Sequence, residues 1–184
     1  MTPVLRKTIK QLCWIISSVA ALLALAWYLI YSGRLWFNLS TSIPPGVYRV
    51  NSAQSARVGQ LLLTCLPEAS AVMARERGYL GYGSCPGNST PVGKKVVAGP
   101  GDVVLINESG ISVNGTLLSH TRPQAHDGEG RPLPQQRLEG TLPQGVFILA
   151  ALRDDSFDSR YYGAVPQELH LGELTPVWTF SDEQ

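Results

Sequence analysis

Residues 12–31 read LCWIISSVAALLALAWYLIY, and the interpretation of this stretch divides the rest of the chain. No charged residue occurs between Gln11 and Gly33. About 20 apolar residues rising roughly 1.5 Å each reach about 30 Å, the thickness of a bilayer's hydrocarbon core. Trp14, Trp27, Tyr28 and Tyr31 stand toward the ends, where interfacial aromatics belong. Arg6, Lys7 and Lys10 precede the stretch and only Arg34 follows closely, so the positive-inside rule puts the N-terminus in the cytoplasm and residues 34–184 outside. A cleavable signal peptide ending at Ala24-Leu25-Ala26 competes with this reading, but the apolar run continues through Trp27-Tyr28-Leu29-Ile30. A buried core helix is disfavoured by the basic flank and the missing polar face.

The 184 residues then leave room for one domain beyond an anchor, with residues 1–33 as cytoplasmic N-terminus and membrane helix and 34–184 as the exported domain. Hydrophobic residues make up 44% and charged residues only 16%, a surplus concentrated in the anchor. The formal net charge is +1 and no basic stripe lies beyond the N-terminus, so the lipid bilayer is an expected partner and nucleic acid is not.

Cys13 falls in the membrane segment, leaving Cys65 and Cys85 as the exported pair. In an oxidising compartment a disulfide between them would stabilise the domain by roughly 3 kcal/mol through loop closure. Two reduced thiols are the alternative, and a zinc site lacks further ligands. Between the cysteines, Glu68 to Arg75 reads as a short helix ending at Gly78.

The remainder reads as strands. Val47–Val50, Gln60–Thr64, Lys94–Val97, Val103–Ile106, Gly110–Val113 and Val146–Ala150 are short aliphatic runs between Gly, Pro, Asn and Asp clusters, and a last strand is expected over Leu169–Trp178. Asn114-Gly115 predicts a hairpin turn. Residues 119–145, rich in Pro, Gly, Gln and Arg, read as a long surface insertion without regular elements. The expected fold is mainly β and antiparallel, barrel-like, with one short helix.

Three segments could carry chemistry. In Asn38-Leu39-Ser40-Thr41-Ser42-Ile43-Pro44-Pro45-Gly46-Val47-Tyr48, two prolines and a glycine fix a sharp turn just after Ser42, a setting that suits a nucleophile. A proline-rich connector is the plainer reading. A serine needs a base, and two of the three histidines, His120 and His126, lie in the polar insertion. A Ser-His-Asp triad or a metal site from His120, His126 and Asp127 is therefore weakly supported. Lys94 and Lys95 are the only lysines beyond the anchor; in a strand they point to opposite faces, and a neutral base requires burial. In the third segment, Asp154 to Gly163, Asp158 and Arg160 lie two apart and could pair.

Taken together, these segments resemble the bacterial type I signal peptidases, most closely the conjugative-transfer, TraF-type branch that matures pilus subunits. Ser40-Thr41-Ser42-Ile43-Pro44-Pro45-Gly46-Val47-Tyr48 matches its small-x-Ser-x-Pro-x-Gly-x-Tyr motif. Lys94-Lys95-Val96-Val97 with Pro100-Gly101-Asp102, and Ser156 to Gly163, match the second and third motifs. The resemblance implies a signal-peptidase-like catalytic domain on a single anchor in the bacterial inner membrane, facing the periplasm. It implies Ser42 as nucleophile, Lys94 as general base, Ser40 as an oxyanion donor and Ser156 as the residue orienting the lysine, with Asp158 and Arg160 as structural supports. Lys95 stands where the branch usually has Arg, and Ile43 where housekeeping enzymes carry Met. No cofactor is implied. The expected substrate is a propilin, cleaved and in some relatives cyclised, with other conjugative transfer proteins as further partners. A general signal peptidase acting on secreted preproteins, or a non-enzymatic scaffold of the secretion apparatus, are the alternatives.

Overall fold

The computed structural model describes residues 3–32, 34–52 and 56–180. The chain forms two compact units, residues 1–36 and 37–184. The first is dominated by helix α1 (Pro3–Tyr31), whose 29 residues include all of the apolar stretch. It starts earlier than the hydropathy suggests because nothing between Pro3 and Lys10 breaks a helix. The part from Arg6 to Tyr31 is long and apolar enough to cross a membrane, as a span or a signal anchor.

The strands are β1 (Leu35–Asn38), β2 (Gly46–Asn51), β3 (Leu61–Thr64), β4 (Tyr82–Cys85), β5 (Val92–Ala98), β6 (Val103–Asn107), β7 (Gly110–Val113), β8 (Thr116–Leu117), β9 (Leu138–Thr141), β10 (Val146–Ala150), β11 (Val165–Pro166) and β12 (His170–Thr179). Helix α2 (Glu68–Glu76) follows β3 and the one-turn helix α3 (Ser159–Tyr162) follows β10. A seven-stranded sheet has the order β1-β2-β12-β3-β5-β10-β11, and a four-stranded sheet the order β8-β7-β6-β9. The paired registers between β2 and β12, β3 and β12, β3 and β5, β5 and β10, and within the small sheet, are all antiparallel. Mainly antiparallel β architecture is thus observed.

The uninterrupted apolar run Val146–Ala150 has its physical reason in two cores. Phe147 and Leu149 join Leu62, Leu66 and Val96 under α2, while Ile148 and Ala150 join Val104, Ile106 and Ile111 of the small sheet. A strand buried on both faces needs no polar alternation. Asn114 and Gly115, at φ 50° and 80°, make the tight β7–β8 turn the sequence announces. Cys65 and Cys85 are joined in a disulfide with Cα atoms 5.4 Å apart, closing a loop around α2.

The stretch 119–145 departs from expectation. It contains β9, which pairs with β6 from Val103↔Thr141 to Ile106↔Leu138. This is an edge strand, largely exposed, and its Leu-Glu-Gly-Thr sequence carries no alternation that reveals it. Around it, Asp127 organises the irregular part by accepting from the N–H groups of Glu129 and Arg131 and from Arg131 Nε.

Gly46 is fixed by close approach. A Cβ there would lie 2.2 Å from Trp178 O and 2.8 Å from Thr179 Cα, where β12 crosses the start of β2. Both obstacles are backbone. Gly46→Ala is therefore expected to destabilise the domain by about 2–3 kcal/mol, lowering Tm by about 5–10 °C in thermal denaturation of the full chain.

Candidate active site

Ser42 sits in the loop between β1 and β2, where two prolines remove the N–H groups that a regular ladder would use. Asn38, 2% exposed, substitutes for that ladder. Its Nδ2 donates to the carbonyls of Ser40 (2.9 Å), Ile43 (2.8 Å) and Pro44 (3.2 Å). Its Oδ1 accepts from the Ser40 N–H (3.0 Å) and hydroxyl (2.7 Å). The buried Tyr48 hydroxyl donates to Pro44 O at 2.6 Å from the other side. One amide and one phenol thus hold the backbone on both sides of Ser42. Sequence reasoning gave Asn38 no role. The signal was present: an Asn two residues before a polar, proline-terminated turn is an Asx-type backbone mimic.

Lys94 and Lys95 lie on β5 opposite Leu62 and Leu61 of β3. Alternation buries Lys94 to 4% exposure, on the face that also carries Val96, and leaves Lys95 exposed. Lys94 Nζ is 2.7 Å from Ser42 Oγ and 2.7 Å from Ser156 Oγ. Burial is the main influence on its ammonium and lowers the pKa from 10.5 to about 8. The charge of Asp158 opposes that shift, that of Arg160 adds to it, and Asp155 opposes it.

The turn on the C-terminal side of Ser156 is densely bonded. Asp158 caps α3, accepting from Arg160 N–H, and its two oxygens accept from Arg160 Nε and Nη2 at 2.8 Å each. Both side chains are completely buried. The guanidinium also donates to the carbonyls of Arg122, Ala151 and Arg153 (3.2, 3.3 and 2.7 Å), so one side chain ties three backbone segments together. Ser159 Oγ accepts from Leu149 N–H, locking the turn to β10. That contact was not anticipated, since it joins residues of two different elements. The Asp158–Arg160 pair that their spacing allows forms across a helix N-terminus.

The Ser40 hydroxyl is engaged by Asn38, so acting on a substrate oxygen requires it to rotate away from Oδ1. His120 bonds Asp154 at 3.2 Å and His170 packs on the ring of Phe147. Among the described residues no histidine is bonded to Ser42, and no group of three or more His, Cys, Asp and Glu residues could hold a metal ion. A cleft of about 860 Å³ opens beside Ser42, lined by Ile43, Pro44, Leu61, Lys95, Ala150 and Leu152 among others. Chemically, a serine hydroxyl hydrogen-bonded to a desolvated lysine beside an open cleft is an arrangement fit for acyl transfer.

The model of a protein family described as signal peptidase, peptidase S26, matches residues 6–179. Two plasmid transfer proteins TraF from Escherichia coli are similar to this chain. One is 37% identical over 78% of this chain and 82% of its own length, the other 35% identical over 90% and 93%. The conjugal transfer protein TraF of Agrobacterium fabrum is 37% identical over 78% of this chain and 81% of its own. Among solved structures, a signal peptidase I from Enterococcus faecalis aligns with 67% of this chain and 100% of its own at 18% identity and a TM-score of 0.38, too slight a likeness to bear on the site.

Proposed function

The chain belongs to the signal peptidase family, peptidase S26, and on that premise we propose that it is a serine endopeptidase of a conjugal transfer system with Ser42 as nucleophile and Lys94 as base. The observation that carries this reading is the 2.7 Å contact between the Ser42 hydroxyl and a lysine whose charge is disfavoured by burial. Neutral Lys94 takes the Ser42 proton as Oγ attacks a peptide carbonyl, forming the C–O bond. The tetrahedral oxyanion is met by the Ser42 N–H and by a Ser40 hydroxyl released from Asn38. The lysine ammonium then protonates the departing amine as the C–N bond breaks, leaving an acyl-enzyme. Ser156 holds Nζ in line throughout, and Asp158 with Arg160 holds Ser156. A second nucleophile, water or an amine, resolves the acyl-enzyme with Lys94 again as base.

The substrate we propose is the propilin of the same transfer system, on the strength of the similarity to proteins named for plasmid and conjugal transfer. We place α1 in the inner membrane with its basic N-terminal end in the cytoplasm and residues 37–184 in the periplasm, which suits the disulfide. Incubating full-length enzyme in detergent micelles with that propilin should give a cleaved product, and Ser42→Ala should give none while keeping its thermal transition. A product lighter by one water than the linear mature peptide identifies cyclisation, and one of linear mass identifies hydrolysis. Cleavage by Ser42→Ala at the native rate would refute the assignment.

The pH dependence follows in sign. The reactive lysine is the neutral one, so kcat/KM should climb about tenfold per pH unit below an apparent pKa near 8 and level off above it. Lys95 is exposed on the cleft wall and is not among the charges that shift Lys94, so Lys95→Ala should leave that midpoint in place.

A further inference from the structure

The 860 Å³ cleft is lined by Ser42, and a second cavity of about 380 Å³ is lined by Ser156, at the other end of the Ser42–Lys94–Ser156 hydrogen-bonded chain. The second is walled by Tyr79, Phe157 and Tyr161, with Gln124 and Leu133 from the 119–145 stretch. We propose that this cavity is a subsite for one large apolar or aromatic side chain on the leaving-group side of the scissile bond, within two residues of it. The proposal rests on the assignment of Ser42 and Lys94 above.

Position comes first. Two contacts of 2.7 Å put Ser156 Oγ no farther than twice that distance from Ser42 Oγ. The departing nitrogen must come within hydrogen-bond reach of Lys94 Nζ to be protonated. An extended chain advances about 3.3–3.6 Å per residue, so a residue one or two past the cut lies within reach of Ser156.

Chemistry comes second. The rings form a continuous aromatic surface: Phe157 stacks on Tyr161 at 5.6 Å with planes 5° apart, and Tyr79 meets Phe157 at 5.4 Å. Three carboxylates also border the cavity, which would suggest a cationic ligand were they free. They are not. Asp127 accepts from the Tyr79 hydroxyl, from Arg131 Nε at 2.7 Å and from two backbone N–H groups, with Arg77 at 3.6 Å. Asp155 is held by two 3.0 Å bonds from Arg153, and Asp154 by His120. The Tyr161 hydroxyl accepts from Gln124 N–H. With Asp127 and Asp155 paired to arginines and Asp154 facing His120, the rings and Leu133 are the surface offered to a ligand. The volume lies within the range of ligand pockets and exceeds what a small side chain fills.

Peptides with an identical acyl side and Gly, Leu or Phe at the first or second position after the cut provide the test, cleaved by full-length enzyme in micelles. Leu or Phe at one of the two positions should raise kcat/KM over Gly by roughly tenfold or more. In Gly128→Trp, which builds a ring into the lining where a Cβ meets nothing within 4 Å, the Phe-to-Gly ratio should fall toward one. As a readout that does not need turnover, phenylalaninamide should perturb the ring resonances of Tyr79, Phe157 and Tyr161 in the native chain and not in Gly128→Trp. Cleavage with no preference at either position, or a preference unchanged in Gly128→Trp, overturns the subsite while leaving the peptidase assignment intact. Absence of any cleavage overturns that assignment instead, and absence of ring perturbation by phenylalaninamide then overturns the subsite as well.

Discussion

Lys94→Met is expected to lower peptide cleavage by roughly 10⁴-fold and, at the same time, to make the protein more stable at neutral pH. The two effects have one origin. Lys94 is 4% exposed, and its pKa lies at about 8 in the folded chain against 10.5 when solvated. Above pH 10.5 the lysine is neutral folded or unfolded, so burial carries no ionisation penalty. As pH falls from 10.5 to 8 the unfolded chain takes up a proton that the folded chain refuses, and the penalty grows; below 8 it is constant. At pH 7 it amounts to about 3 kcal/mol. Methionine has a similar length and no charge to desolvate. It does orphan the buried Ser156 hydroxyl, at a cost of about 1 kcal/mol. A net gain of about 2 kcal/mol, or about 4–8 °C in Tm, should therefore accompany the loss of activity. A lysine kept only for structure would show the reverse, a stability loss on replacement. Urea unfolding of both proteins between about pH 7 and pH 10 separates the cases: the difference should shrink as pH rises.

Arg160→Met should be the most destabilising single change outside the glycine positions. Asp158 and Arg160 are buried completely and bonded through two parallel contacts. Removing the guanidinium leaves a carboxylate with no cation and frees the carbonyls of Arg122, Ala151 and Arg153 from a shared donor. Breaking such a pair costs about 3–5 kcal/mol, lowering Tm by roughly 10 °C. Electrostatics supplies a second readout. Arg160 depresses the Lys94 pKa and Asp158 raises it, so losing only the arginine leaves burial alone to oppose the raising charges of Asp158 and Asp155. The midpoint of the pH–kcat/KM profile should move alkaline, and the residual activity at neutral pH should fall further than the folded fraction does. A midpoint that stays put would show that Arg160 acts through stability alone.

What could be read from the sequence and what could not divide along a physical line. Features set by local chemistry were legible: the uncharged stretch that becomes α1, the Asn114-Gly115 turn, the aliphatic run that becomes β10, and the disulfide loop around α2. Features set by what lies across the sheet were not. Alternation along β5 says that Lys94 and Lys95 face opposite ways, but only the packing of β5 between β3 and β10 decides which is buried. The bond from Lys94 to Ser156 spans 62 positions and came from family resemblance, not from spacing. Asn38 is marked only by its place before a polar, proline-terminated turn, and its three carbonyl partners follow from the folded loop rather than from neighbouring residue types. Strand β9 escaped because an exposed edge strand imposes no hydrophobic period. The Asp158–Arg160 pair was anticipated from adjacency alone, whereas its burial, and hence its energetic weight, depends on the segments at Arg122 and Arg153 that close over it.

The central claim is that Ser42 attacks with Lys94 as its base, and covalent capture tests it most directly. Full-length enzyme should be treated at about pH 8, near the lysine's own pKa, with a peptide ester carrying the acyl side of the propilin cut. The reaction is quenched in acid within the first turnover and the protein digested for tandem mass spectrometry. The account predicts an acyl group on Ser42 Oγ in the native chain, and none on Ser42 in Lys94→Met at the same time point. Acylation of a different residue, or acylation of Ser42 at the native rate without Lys94, would contradict it.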